Sequence, residues 1–383
     1  MKYKLGDIVT VLGDGLHGTP KYDDNGEYYF LNGNNIENGK LVIKPDTKRV
    51  NHEEYLKYRK ELNDRTILVS INGTLGKVGT YNNEKCILGK SACYFNIKES
   101  VNKEYIKFLL TGKNFQDYIE NYATGTTIKN MSLKAMKDFK FELPDRDIQD
   151  KVAYILNSIT SKIEANTHTN NNLYNMCNVV FHNYIDKYSE QIEYTKIIDI
   201  ADRVITGKTP STKNEEFWNG DIPFITIPDM HNQVFTIDTE RTISKVGAKS
   251  LIPKNSISVS CIATVGLVSI STEESQTNQQ INSIVLKNDY DLYYLFEFLS
   301  EQESFMKNIA GGSTTYNINK TTFENIEVPY LPQNIVQEFH NTVCKLFDKI
   351  KLNQLENKNL EQLRDTLLPK LMNGEIDLDK IEI

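Results

Sequence analysis

Ile148-Gln149-Asp150-Lys151-Val152-Ala153-Tyr154-Ile155-Leu156-Asn157-Ser158-Ile159-Thr160-Ser161-Lys162-Ile163 is answered about 187 residues later by Ile335-Val336-Gln337-Glu338-Phe339-His340-Asn341-Thr342-Val343-Cys344-Lys345-Leu346-Phe347-Asp348-Lys349-Ile350. A Leu-Pro pair precedes each stretch, Leu143-Pro144 and Leu331-Pro332, and each proline is followed five residues later by Gln149 or Gln337. Apolar residues recur at spacings of three and four: Val152, Ile155, Ile159, Ile163, then Leu173, Met176, Val180, Tyr184 in the first. In the second they are Phe339, Val343, Leu346, Ile350, then Leu360, Leu363, Leu367 and Leu371. Such spacing predicts a helical stripe in each. Proline is absent between Pro144 and Pro210 and between Pro332 and Pro369, so nothing interrupts either helix. About 35 residues at roughly 1.5 Å each make a rod of about 50 Å, too long for ordinary core.

Outward from these rods the chain repeats itself in order. Leu5-Gly6-Asp7-Ile8 with Thr19-Pro20 is matched by Ile197-Ile198-Asp199-Ile200 with Thr209-Pro210. Ile67-Leu68-Val69-Ser70 leading to Thr74-Leu75-Gly76 is matched by Ile257-Ser258-Val259-Ser260 leading to Thr264-Val265-Gly266. Ala123-Thr124-Gly125-Thr126-Thr127 answers to Ala310-Gly311-Gly312-Ser313-Thr314. One such match is unremarkable; a series in the same order at nearly constant offset indicates a duplication. Within each copy, β-branched runs at 8–12, 67–71, 257–262 and 281–286 alternate with Gly, Asn and Pro turns, the pattern of a mixed α/β globule.

The length of 383 residues suits two domains plus connecting structure, and 39% hydrophobic with 25% charged residues is ordinary for a folded chain. Five scattered cysteines without a C-x-x-C pair fit a reducing compartment better than a disulfide framework or a cysteine zinc site. Asp7 falls where a secretory signal needs its apolar stretch, and no run of ~18 apolar residues occurs. A cytoplasmic protein without a membrane partner is expected. The boundaries are expected at 1–144 for the first globule, 145–190 for the first helical spacer, 191–331 for the second globule and 332–383 for the second spacer and tail.

Both apolar stripes fail at the same place. Asn166, Asn170 and Asn172 stand in one helix and Asn353, Asn357 and Asn359 in the other, each pair 187 apart. Asparagine at a helix seam costs stability but fixes register, so antiparallel pairing with the polar stretches facing each other is one account. Fraying or a bend at an Asn-rich patch is the other. The expected fold is thus mixed α/β: two globules in a pseudo-twofold arrangement, separated by two long antiparallel coiled-coil helices.

Two similar globules kept apart by rigid helices make a spacer, and a spacer between binding modules measures distance on a ligand. DNA is such a ligand, since half-sites are read at a set separation. The globules differ in most residues outside the shared frame, which predicts two different half-sites and an asymmetric bipartite target.

Across nearly its whole length the sequence resembles the specificity subunit of type I restriction-modification systems. The residues that carry the resemblance are Leu143-Pro144 with Gln149, Leu331-Pro332 with Gln337, and the Gly-Thr-Thr and Gly-Ser-Thr turns before each. The tail Leu363-Arg364-Asp365-Thr366-Leu367-Leu368-Pro369-Lys370-Leu371-Met372-Asn373-Gly374-Glu375-Ile376 is the most specific of them. Its first-copy counterpart around Val179-Val180-Phe181 corresponds in position more than in identity. The resemblance implies two target-recognition domains that bind double-stranded DNA, with no catalysis and no cofactor on this chain. It also implies two methyltransferase (modification) subunits docked on the helices, with Gln149, Gln337, Leu363, Leu367 and Leu371 as docking candidates. Restriction or translocase subunits complete the assembly, and S-adenosylmethionine, ATP and Mg are expected in those partners.

The residues agree with absent catalysis. No Pro-Pro pair exists for an Asn-Pro-Pro-Tyr-like methyltransferase tetrapeptide, and no metal-ligand constellation stands out. The two near misses to a phosphate-binding loop carry Glu84 and Asp202 where the first glycine is required. Gly13-Asp14-Gly15-Leu16-His17-Gly18 matches G-x-G-x-x-G literally, but Thr19-Pro20 and Tyr22-Asp23-Asp24-Asn25-Gly26 follow, which reads as a turn rather than the helix a dinucleotide site needs.

Phosphate contacts require cations, and base reading requires Asn, Gln, Arg or hydroxyl side chains on loops. The phosphate candidates are Lys129, Lys134 and Lys137 with Lys140, then Lys48, Arg49, Lys57, Arg59 and Lys60 with Arg65. In the second globule Arg241, Lys245 and Lys249 fall at i, i+4 and i+8, one face of a predicted helix. For base reading the candidates are Gln276, Thr277, Asn278, Gln279 and Gln280, a polar run before a strand, and Asn32, Asn34, Asn35, Asn72 and Lys90 in the first globule. A solvated charged face or an ordinary polar loop accounts for any one of them equally.

Net charge is −7 overall. Residues 1–144 carry 22 basic and 18 acidic residues, while 191–331 carry 11 and 18. Either the acidic face of the second globule points away from the duplex, or most of the electrostatic affinity comes from the docked modification subunits. The alternative function is a structural coiled-coil scaffold joining two protein-binding globules without DNA specificity.

Overall fold

The structure, a computed structural model, describes residues 2–125, 129–231, 233–311 and 316–378. Thr126 and Thr127 of the first Gly-Thr-Thr turn, and Gly312, Ser313 and Thr314 of its counterpart, lie outside the described residues. The chain forms two compact units. One comprises the sequence up to Ser161 and again from Gln362 onward; the other is Lys162–Glu361.

In the first unit a six-stranded sheet runs in the order Val9–Asp14, Ala92–Ile97, Thr66–Ser70, Val78–Thr80, Gly39–Leu41, Ile36–Glu37. Thr66–Ser70 and Ala92–Ile97 are buried at every residue, as central strands covered on both faces require. A three-stranded sheet (Arg49–Val50, Tyr28–Leu31, Cys86–Leu88) and a two-stranded ladder of Lys2–Lys4 on Lys140–Glu142 complete it. The second unit has a five-stranded sheet in the order Ala201–Thr206, Ile281–Leu286, Ile257–Ser260, Val268–Ser271, Phe235–Thr236. A four-stranded sheet (Arg241–Ile243, Trp218–Ile225, Ser275–Thr277, Leu251–Ile252) and the ladder of Glu193–Lys196 on Glu327–Tyr330 accompany it.

The duplication reaches single hydrogen bonds. The Asp7 carboxylate accepts from the Lys4 amide at 2.8 Å, and Asp199 accepts from the Lys196 amide at 3.3 Å. Each aspartate folds back on the entry of its repeat, which is why Leu-Gly-Asp-Ile and Ile-Ile-Asp-Ile match. Lys98 Nζ donates to the Asp7 carbonyl at 2.6 Å and Lys287 Nζ to the Asp199 carbonyl at 2.8 Å. Ser70 Oγ accepts from the Lys77 amide and Ser260 Oγ from the Leu267 amide, both at 2.9 Å. Between them Gly76 and Gly266 hold φ of 79° and 95°, a conformation glycine adopts without steric cost.

The long helices are Arg146–Lys187 and Gln333–Met372, of 42 and 40 residues, or about 60 Å each. Pro369 lies inside the second helix, whose stripe runs on to Leu371. It falls in the last turn, where only one intrahelical bond is lost, and the Asn373 amide closes on its carbonyl at 3.0 Å. In the first helix Leu173, Val180 and Tyr184 pack against the core as expected, but Met176 is 54% exposed, and Cys177 and Phe181 are the buried centre of the stripe. Phe181 meets the rings of Tyr294 and Phe339 at 5.2 and 5.9 Å.

Within the second unit the two helices pack antiparallel through asparagines. Asn166 Nδ2 donates to Glu356 Oε2 at 2.8 Å and to Asn357 Oδ1 at 2.9 Å, and Asn353 Nδ2 donates to Asn170 Oδ1 at 2.8 Å. Asn357 returns a bond to Thr167 Oγ1 at 3.3 Å. Asn172 and Asn359 take no part in the seam. Both are exposed, and Asn172 pairs with His168 on its own helix. Within the first unit the antiparallel register continues: Leu371 is buried in one cluster with Val152 and Leu156, and Leu367 and Leu368 pack against it.

Candidate nucleic-acid interface

The basic candidates of the first unit lie at its surface. Lys134 and Lys137 are exposed on the helix Leu133–Asp138, which Ser132 starts by accepting from the Ala135 amide at 3.1 Å; Lys129 is exposed just before it. Lys48 and Arg49 are exposed, with the Arg49 guanidinium 5.0 Å from the Tyr29 ring centroid. Lys57 closes the helix His52–Tyr58, and Arg59 and Lys60 follow it. Arg65 is a correction. Its guanidinium donates to the carbonyls of Ile97, Lys98 and Val101 at 3.2, 2.8 and 2.6 Å, so it staples a loop to the sheet and has little left for phosphate.

Arg241, Lys245 and Lys249 do not share a helix face, because there is no helix. Arg241–Ile243 is a strand paired with Trp218–Ile225, and a turn follows in which Ser244 Oγ accepts from the Gly247 amide at 3.2 Å. Gly247 packs so close to Phe217 that a Cβ there would overlap it, which fixes the turn. All three cations are exposed, and the Arg241 guanidinium lies 3.5 Å from the Trp218 ring centroid.

The amide candidates divide sharply. Gln276, Thr277 and Asn278 are buried, and Gln276 spends its side chain on backbone. Its Oε1 accepts from the Lys249 and Ser250 amides at 2.7 and 2.8 Å, and its Nε2 donates to the Lys208 carbonyl at 2.7 Å. Burial leaves these three no side chain presented at the surface, whereas Gln279 is exposed and Gln280 half-buried. Asn35 is likewise internal, donating to the Val42 carbonyl at 2.9 Å and accepting from the Asn32 amide at 3.0 Å. Asn32 is half-buried with its Oδ1 on Ser91 Oγ, while Asn34 is exposed.

Asn72 and Lys90 come together. With Asp14, His17, Asn130 and Ser132 they line an open cleft of about 470 Å³ in the first unit. His17, whose ring lies 2.6 Å from the Asp14 carboxylate, was not singled out as a binding residue, since it stands inside the glycine motif. That motif builds no dinucleotide site: its strand runs to Asp14 and no helix follows. Gly15 is glycine because a Cβ would overlap the Leu88 carbonyl, to which Leu16 donates at 2.7 Å. A larger cavity of about 550 Å³, lined by Tyr174, Phe296, Gln354 and Lys358 among others, lies in the second unit and contains none of the candidate residues.

Of the docking candidates, Gln149 and Leu371 are corrected. Gln149 is buried, donating to the Pro144 carbonyl at 2.8 Å and accepting from the Asn102 amide at 2.9 Å; Leu371 is core. Gln337 and Leu363 are exposed, and Leu367 is half-buried. Among the described residues, no group of three or more His, Cys, Asp or Glu could hold a metal ion, and no helix is long and apolar enough to cross a membrane. Burial lifts the thiols of Cys86 and Cys177 to about 12 and that of Cys261 to about 11. None of these is a ready nucleophile.

An α/β unit built twice on one hydrogen-bonded frame, each copy carrying exposed cations and amides, defines a duplicated protein. Residues 1–175 and 189–363 both match the family model for the type I restriction modification DNA specificity domain, and the chain belongs to that family. It is the DNA specificity subunit of a type I restriction-modification system, with two target-recognition domains, and is not itself catalytic. It is similar to the HindI specificity subunit of Haemophilus influenzae, 31% identical over 355 residues that cover 71% of this chain and 77% of that protein. The MjaIX specificity subunit of Methanocaldococcus jannaschii is 34% identical over 205 residues, covering 51% of this chain and 46% of that one. The type I S subunit from M. genitalium shares the fold, with a TM-score of 0.62 at 17% identity over 97% of this chain and 95% of that one.

Proposed function

We propose that each target-recognition domain reads one half of an asymmetric bipartite DNA target, and that the helices set the spacing and dock two modification subunits. The observation that carries this is the duplicated frame: hydrogen bonds recur position by position while the exposed side chains differ, so one architecture serves two different half-sites. The division of labour follows the segments 1–144 and 191–331 for reading, and 145–190 and 332–383 for spacing and docking. Tyr154, Met176, Val179, Leu352, Leu355 and Leu363 stand exposed on the long helices, and such apolar surface favours a partner. Phosphate contacts fall to Lys48, Arg49, Lys57, Lys129, Lys134 and Lys137 in one unit and to Arg241, Lys245 and Lys249 in the other. The chemistry resides in the partners: the modification subunits bind S-adenosylmethionine and methylate adenine, and restriction subunits use ATP and Mg. The assembly is cytoplasmic.

Mapping adenine methylation in host DNA with and without the gene tests the reading. Loss of every site of one bipartite motif on deletion is expected; an unchanged map would refute it and favour a scaffold. Because residues 191–331 are acidic, the isolated chain is expected to bind DNA weakly and with a steep loss on adding salt, and the complex with modification subunits far more tightly. Equilibrium titrations at several salt concentrations check this, and tight sequence-specific binding by the chain alone would contradict it.

A further inference from the structure

Resting on the half-site reading above, we propose that three equivalent positions determine which bases each half-site contains: His17, Asn72 and Lys90 in one unit, and Thr209, Ile262 and Gln279 in the other.

The equivalence is set by backbone, not by sequence likeness. Leu16 N–H donates to the Leu88 carbonyl at 2.7 Å, and Lys208 N–H to the Thr277 carbonyl at 2.9 Å, which pairs position 17 with 209. Gly15 and Gly207 precede these bonds, and at both a Cβ would overlap the carbonyls of the strand beneath. Ile71 N–H donates to the Ser91 carbonyl at 2.9 Å, and Cys261 N–H to the Gln280 carbonyl at 2.7 Å, pairing 72 with 262 and 90 with 279. One residue on, Gly73 N–H reaches the Lys129 carbonyl at 3.1 Å and Ala263 N–H the Tyr316 carbonyl at 3.0 Å.

That last pair carries a second, independent sign. Gly73 has φ of 75°, and Ala263 holds the same left-handed conformation at 64° although it has a Cβ. The frame imposes this conformation on an unsuited residue, and such strain concentrates where a surface is held for binding.

On this common frame the side chains diverge. An imidazole is replaced by a hydroxyl, an amide by an alkyl group, and an ammonium by an amide. Each change alters which base edge is favoured: lysine suits guanine O6 and N7, glutamine suits adenine N6 and N7, and isoleucine offers only apolar contact to a thymine methyl. The groups converge. His17, Asn72 and Lys90 line one cleft of about 470 Å³, and Thr209 Oγ1 lies 2.5 Å from Gln279 Oε1. Asn130 and Asn317 sit alongside as the same residue in both units, each exchanging backbone bonds with a partner, Thr124 or Gly311, at 2.8 to 3.0 Å. Being the same residue in both units, they do not distinguish the two half-sites.

The test uses the complex of the full chain with its modification subunits, and duplexes in which each base pair of the methylated motif is changed in turn. Two variants are compared with wild type: H17T/N72I/K90Q together, and K90Q alone. We expect preference at one or more base pairs of a single half-site to fall or change by roughly 10- to 100-fold, with the other half and the spacer unaffected. An unchanged preference profile, or an equal fall in rate on every duplex, would overturn the inference, the latter because it marks a phosphate contact. Should the triple variant fail to assemble, K90Q decides by the same criterion. Failure of the half-site reading itself looks different, since the wild-type complex would then show no two-part motif at all.

Discussion

Replacing Asn353 with alanine is expected to lower stability by about 1 to 2 kcal/mol, while replacing Asn170 and Asn353 together with leucine restores most of it. Asn353 is 1% exposed and donates to Asn170 Oδ1 at 2.8 Å. Truncating it removes the bond to the half-buried Asn170 and leaves a gap at the fully buried position 353, so the cost is that of one lost hydrogen bond plus the lost packing. Two leucines remove both polar groups at once, so this step of the seam becomes apolar while the Asn166 and Asn357 bonds beside it remain. Register then loses one of its determinants, because leucine pairs tolerate a slip that an amide-to-amide bond forbids, and the Asn166 bonds are left to hold it alone. Denaturant unfolding measures the first effect. The second is read in the methylated motif of the assembled complex: the double variant should yield an altered or mixed spacer between unchanged halves. An unchanged single spacer would show that register is set elsewhere along the helices.

The rods and the duplication were legible because both rest on features that survive divergence: spacing of three and four, proline placement, and aspartates that tie off each entry strand. The buried centre of the first stripe was not. Val180 and Phe181 both pack inward, but of the adjacent Met176 and Cys177 only Cys177 does, chosen by helical phase rather than side-chain type. The amides of 276–280 misled for a related reason. A run of Gln, Thr and Asn reads as a wet loop, yet Gln276 stands in for three missing backbone partners, a role visible only when Lys208, Lys249 and Ser250 are seen around it. The i, i+4, i+8 spacing of Arg241, Lys245 and Lys249 was a true helical pattern on a chain that Gly247 and the Ser244 turn fold otherwise. The glycines around His17 fit a phosphate loop as well as the tight corner they form, where Gly15 lets the chain pass the Leu88 carbonyl and leaves His17 lining the cleft.

Glu297→Gln is expected to stabilise the protein by on the order of 4 kcal/mol above pH 8 and by almost nothing below pH 4. Glu297, on the helix Asp291–Ser300, is completely buried. Its Oε2 accepts only a long bond of 3.4 Å from Asn178 Nδ2, and its Oε1 has no partner. Burial pushes its carboxyl from the usual 4.5 up to about 8; the Asn178 bond opposes this, and the nearby Glu301 charge adds to it. Glu301 is itself satisfied by Asn178 and His182, at 2.7 and 2.8 Å. The sign follows from proton counts. Between about pH 4.5 and 8 the unfolded chain has released this proton while the folded one retains it, so folding takes up a proton and stability falls as pH rises. Below that window both states are protonated and above it both are ionised, so the loss is complete near pH 8 and then constant. Glutamine copies the shape of the neutral acid and cannot ionise, so its stability curve should lack this slope. Unfolding midpoints of the two proteins from pH 4 to 9 give the difference directly. Parallel curves would mean that the carboxylate finds compensation in the folded state. A widening gap would identify Glu297 as a buried acid placed where the first long helix crosses the core of the second unit, making the hold of that domain on its helix looser in alkali than in mild acid.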